Sequence, residues 1–134
     1  MHRILHIIPS LSPSGTAAQL SLLAAGLARD EFELHVAVLD ESPHGDNHIS
    51  LPGVETTTIV PRRRFLIDPL ALWRLHRHIR HLRPALVHTW LFDANTYGRL
   101  AAKNTGARHL IVTERHLDLD KSNQAIALDR RLAL

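Results

Sequence analysis

Short apolar runs rich in branched residues alternate along this chain with stretches of helical periodicity. That alternation restricts the fold more than any single residue does. Arg3-Ile4-Leu5-His6-Ile7-Ile8 opens it and reads as a buried parallel strand. Pro9 to Gly15 cannot continue that strand, because its two prolines remove ladder donors and its glycine relaxes the backbone. Thr16-Ala17-Ala18-Gln19 has the spacing of a capping box, and Leu20, Leu23, Ala24 and Leu27 follow on one helical face. A strand, a small-residue loop and a helix N-terminus form a cradle for a phosphate-sized anion, since unpaired N–H groups point out of the helix end. The bland alternative is a strand-to-helix connection that holds nothing.

The same punctuation recurs. Residues 32–39 read as a second strand, 40–52 as a polar loop, and 53–60 as a third, more exposed strand. Asp68-Pro69 is a helix start, with Leu72, Leu75, Ile79 and Leu82 as the buried stripe, and the helix must end by Arg83 because Pro84 follows. A fourth strand at 85–88, a helix over 93–103 closed by Gly106, a fifth strand at 109–113 and a last helix from Lys121 complete the pattern. Strands joined through helices give a parallel sheet. The expected fold is therefore a three-layer, Rossmann-like α/β domain with a mainly parallel sheet of order 3-2-1-4-5. Ligands of such sheets sit beyond the strand carboxyl ends, near the switch in strand order. That edge gathers Ser10 to Gly15, Arg62 to Arg64, His88 to Asn95 and Glu114 to Asp118, a polar set suited to a polar or anionic ligand.

Composition narrows the function classes. The 134 residues suffice for one core, and the 4% aromatic content argues against an all-β sandwich or a base-stacking surface. The formal charge of +3 and a sequence pI near 10.2 suit an anionic partner without requiring one. The absence of cysteine removes thiolate chemistry and zinc-thiolate sites. His76, His78 and His81 contain no i, i+4 histidine pair, so no metal is expected there. No nucleic-acid motif is present. No run reaches membrane-span length and the first apolar run is too short for a secretory signal, so a cytoplasmic location is expected. Arg62-Arg63-Arg64 followed by Phe65-Leu66-Ile67 has two readings, a solvated loop or a contact with an anionic membrane at its inner face.

Several segments carry a resemblance. Ile4 through Leu27, Leu82-Arg83-Pro84-Ala85-Leu86-Val87-His88-Thr89-Trp90, Asn95 through Ala102, Ile111 to Arg115 and Leu128 to Ala133 together resemble the N-terminal half of the family 4 glycosyltransferases. The resemblance covers essentially the whole chain, in order. It implies one half of a GT-B fold, with the chain cut before a donor-binding C-terminal domain. It also implies an acceptor-binding role in a retaining transfer of sugar from a nucleotide-sugar donor to a glycan or lipid-linked acceptor in polysaccharide biosynthesis, with no metal and no cofactor. Ser14, Gly15 and Thr16 would approach the donor diphosphate and the transferred sugar, while His88, Trp90, Asn95 and Arg115 would face the acceptor. The chain alone is expected to be inactive.

Departures from the family pattern are visible. Ser14 stands where a glycine is usual, Ala17 where an acid is usual, and Trp90 where many members have a second histidine. Each candidate also has a structural reading: His88 as a buried histidine bonded to a neighbour, Asn95 as a local helix-start group, and Arg115 as an ion-pair partner of Glu114 or Asp118. Asp118-Leu119-Asp120 reads as helix capping. Two rival functions remain open, a non-catalytic subunit pairing with a separate donor-binding chain and half of a GT-B sugar-nucleotide epimerase.

Overall fold

The computed structural model describes residues 2–12, 15–27, 29–39, 49, 51–62, 66–103 and 105–113. Among these the elements run β1 (His2–Ile8), α1 (Gly15–Gly26), β2 (Phe32–Val38), β3 (Glu55–Thr58), α2 (Pro69–Leu82), β4 (Leu86–Trp90), α3 (Leu91–Ala102) and β5 (His109–Thr113). The five strands form one sheet of order β3-β2-β1-β4-β5, and every pairing is parallel. The expected topology is therefore the observed one. The last expected helix, the 114–120 loop and most of the 40–52 loop lie outside the described residues.

Period-two alternation splits each strand between two layers. Ile4 and Ile8 of β1, with Leu34, Val36 and Val38 of β2 and Trp90 of β4, pack against Ala17, Leu20 and Ala24 of α1. Leu5 and Ile7, with Ala37 and Val87, pack against Leu75 and Ile79 of α2 and Ala94, Tyr97 and Ala101 of α3. Both layers are mainly apolar over the central strands, with polar exceptions that include His6, His88 and Thr89, which is why those strands read as nearly continuous hydrophobic runs.

Asp68 caps α2 as its position before proline predicts. Its Oδ1 accepts from Leu70 N at 3.0 Å, and Arg62 closes on the same carboxylate through Nη2 at 2.8 Å and Nε at 3.1 Å. Arg62 is thus committed to an ion pair, and Arg63 and Arg64 lie outside the described residues. The Asp68 N–H donates to the Tyr97 hydroxyl at 2.7 Å, fixing the start of α2 to α3. At the other end Arg83 takes a left-handed φ of 52° as C-cap, and Arg3 Nη1 donates to the Leu82 carbonyl at 2.9 Å.

Local expectations differ from the structure at several ends. α1 is already helical at Gly15, so Thr16 and Gln19 lie inside the helix and form no capping box around it. Its buried stripe is narrower than the periodicity implies, with Leu20 and Ala24 inside and Leu23 at the surface. In α2 the stripe is Ala71, Leu75 and Ile79, with Leu72 and Leu82 only partly covered. β3 is shorter than 53–60, because Gly53 turns at φ 74° and only Glu55–Thr58 ladder with β2. α3 ends at Ala102, where the Thr105 N–H and hydroxyl both donate to the Ala102 carbonyl; Gly106, at φ 82°, belongs to the following turn rather than to the cap. α3 also begins two residues before Asp93. Leu91 adopts φ 72° immediately after Trp90, which turns the chain from strand to helix with no intervening loop. A left-handed leucine costs roughly 1–2 kcal/mol, and here it draws α3 directly onto β4. No helix among the described residues is long and apolar enough to cross a membrane.

Candidate functional site

Because all five strands run the same way, Ile8, Val38, Thr58, Trp90 and Thr113 end at one edge of the sheet. The α1 N-terminus returns to this edge after β1. Gly15 is exposed there, with nothing within 4 Å of the place a Cβ would occupy, while the Thr16 side chain beside it is buried. Ser10 and Ser12 tighten the preceding loop: Ser12 N donates to Ser10 Oγ at 3.0 Å and Ser10 Oγ donates to Ser12 Oγ at 2.8 Å. Ser14 lies outside the described residues, as does Arg115.

On the α1 side of the sheet, register sets His6 of β1 directly beside His88 of β4. Their ring centroids are 5.1 Å apart, and Trp90 stacks on His88 at 4.4 Å with only 20° between the planes. Trp90 Nε1 donates to His6 Nδ1 at 3.1 Å. That bond requires a lone pair on Nδ1, so His6 is the neutral Nε2–H tautomer. Burial first, and the neighbouring His88 second, push the His6 pKa down to about 3. Its Nε2 is buried with no hydrogen-bond partner among the described residues. His88 is half-buried, and burial likewise lowers its pKa. It therefore stands at the rim as a neutral imidazole whose Nε2 lies 2.7 Å from Thr113 Oγ1.

Thr113 joins this layer to the other. Its carbonyl accepts from Asn95 Nδ2 at 3.3 Å, and Asn95 Oδ1 accepts from Thr89 Oγ1 at 2.8 Å. Asn95 is fully buried in the second turn of α3 and does not cap it; the N-cap position is Trp90, which makes no side-chain capping bond. The position that suggested a helix-start role follows from taking Asp93 as the first helical residue. Gly98, one turn further along, admits the close approach, since a Cβ there would collide with Thr89 Cγ2.

The structure thus brings Gly15, Thr16, His88, Trp90 and Asn95 to the same edge. Trp90, at 5% exposure, and Asn95 are interior groups there, and only Gly15 and His88 present accessible surface. Sequence reasoning missed His6 and Thr113. A histidine interrupting a buried apolar strand is itself a signal, since a buried polar group needs a partner. Its partner came from a strand 84 positions away, which only the register reveals.

A parallel sheet with a switch point between β1 and β4, and a polar edge beside a helix N-terminus, defines a Rossmann-like domain. More narrowly, the chain belongs to glycosyltransferase family 4, whose family model matches residues 13–133. Among solved structures it is similar to the crystal structure of the Bordetella bronchiseptica enzyme WbmH in complex with NAD+, at 12% identity and a TM-score of 0.48. The match covers 81% of this chain and 38% of that one, so this chain spans well under half of that protein's length. No curated protein matches the sequence.

Proposed function

We propose that this chain is the acceptor-side half of a retaining glycosyltransferase of the GT-B type. The complete enzyme would move a sugar from a nucleotide-sugar donor to a glycan or lipid-linked acceptor, and a donor-binding domain would close over the same edge. The observation that carries the reading is the placing of an open helix N-terminus at Gly15 and a neutral, half-exposed imidazole at His88 on one carboxyl edge of a family 4 domain.

In this reading the N–H groups of Ser14, Gly15 and Thr16 stabilise negative charge developing on the leaving diphosphate, as fixed dipoles aimed at a developing charge do. No side chain at position 15 intervenes, so a diphosphate can approach the backbone. His88 contacts the acceptor as a hydrogen-bonding imidazole. Trp90 and Asn95 serve the acceptor through it, since Trp90 stacks on His88 and is held by His6 while Asn95 fixes Thr113 beneath it. Arg115 supplies a guanidinium fork for an acceptor hydroxyl or phosphate. No metal is assigned, because backbone and side-chain donors supply the stabilisation. The isolated 134-residue chain should not turn over, and transfer by it without a donor-binding partner would contradict this reading.

The test is Gly15→Val in the full-length enzyme. The added side chain enters open space, so urea midpoints should stay close to those of the parent, while turnover falls. Unchanged turnover removes the loop from the mechanism.

A further inference from the structure

α2 carries a second feature that the edge does not explain. The helix contains three arginines, three histidines and no acidic residue. Its inner face is closed by Ala71, Leu75 and Ile79. Its outer face exposes Trp73 by 54% and Leu70 by 42%, together with Arg74, Arg77, Arg80 and His81. Leu66, just before the helix, is 59% exposed. The Arg77 guanidinium lies 5.4 Å from the Trp73 ring centroid, so charge and indole share one stripe. Asp68, the acid at the helix start, is buried and bound by Arg62, and Glu55 acts from the sheet side on His78 rather than on the outer arginines. Arg80 also lines a groove of about 650 Å³ with Arg3, Arg83 and Arg108. The single carboxylate in that lining, Glu33, is engaged by Arg3 and His35.

We propose that the outer face of α2, through Leu70, Trp73, Arg74, Arg77 and Arg80, docks the protein on a bilayer surface containing anionic lipid. Trp and Leu favour the boundary between acyl chains and headgroups, and the long arginine side chains reach back to lipid phosphates from the same helix. The complete lack of acid on the helix matches a uniformly negative surface, and the arginine groove extends the positive rim beyond Arg80. This face belongs to the outer helical layer rather than to the strand ends, so the inference stands apart from the sugar-transfer reading.

The experiment is co-sedimentation of the full-length protein with phosphatidylcholine vesicles, with and without about one-third phosphatidylglycerol. Binding is expected only to the anionic vesicles and should vanish in high salt. R74A/R77A should weaken it about thirtyfold, roughly fivefold for each arginine near the surface. W73S should weaken it roughly tenfold or more through lost apolar burial. Both variants alter exposed positions, and unchanged melting temperatures verify their folds. Brominated acyl chains should quench more of the tryptophan emission of the parent than of W73F, so the difference reports Trp73. Absence of vesicle binding, equal binding to neutral vesicles, or full binding by either variant overturns the proposal. So does retention on an acidic protein or RNA with Trp73 unquenched by brominated lipid.

Discussion

Acidification offers the sharpest test of the buried histidine on β1. His6 has an ordinary value of 6.5 and is pushed down to about 3 in the fold, chiefly by burial. Between those values the unfolded chain binds a proton at this position and the native chain does not. Stability therefore rises with pH across that window and falls as the solution is made more acid. Going from pH 7 to pH 5, the His6 share of the loss is about 2 kcal/mol, since each pH unit well below the unfolded pKa contributes about 1.4 kcal/mol. His88 and His78 are shifted the same way and add to the slope. Asp68 and Glu33 are held below their ordinary values of 3.8 and 4.5, so their losses fall at more acid pH. Urea unfolding of the parent and His6→Gln at both pH values, followed by fluorescence, measures the difference. Gln keeps an acceptor for the Trp90 N–H but does not titrate, so its stability should depend less steeply on pH. Equal losses in the two proteins would refute the assignment of His6 as a buried neutral group.

Two further substitutions probe the junction of α3 with the sheet. Gly98→Ala should destabilise by about 1–3 kcal/mol although alanine is the better helix former, because its methyl meets Thr89 Cγ2 and lies 3.4 Å from Ile7 Cδ1; a higher melting temperature would show that α3 can move away. Asn95→Ala should cost about 1–3 kcal/mol by leaving Thr89 Oγ1 and the Thr113 carbonyl without this partner, and denaturant midpoints read it directly.

The topology was legible because it depends on features that survive in one dimension. Apolar runs bounded by Gly and Pro mark strands, Asp68-Pro69 marks a helix start, and helices between strands force parallel pairing. The candidate site was legible only as an edge. His6 looks like an interruption of a strand until the register sets it beside His88 and under Trp90. Asn95 looks like a residue near a helix start because nothing in the sequence announces that Leu91 will take a left-handed φ and begin α3 early. Arg62 reads as one charge of a solvated run, yet its guanidinium closes on Asp68, six positions on, and completes the α2 cap. Each miss is a pairing or backbone choice set by packing rather than by local preference.

What divides the polar residues of this edge is how much hydrogen-bonding capacity each retains. The Trp90 N–H is given to His6, and the Asn95 amide contacts Thr89 and Thr113. Both side chains lie almost wholly out of solvent. Their work is to hold β1, β4 and β5 in one frame, so that the neutral imidazole of His88 meets solvent in a fixed orientation. In the proposed reading Gly15 contributes by contrast through what it lacks, since a backbone without a side chain beside a helix end can approach an anion that a side chain would keep away. On this reading, a hydrogen-bonded polar lattice and a glycine with open space at its Cβ position are different solutions to the same demand. Both would offer groups to a polar ligand without a large cost in ordering them when it arrives.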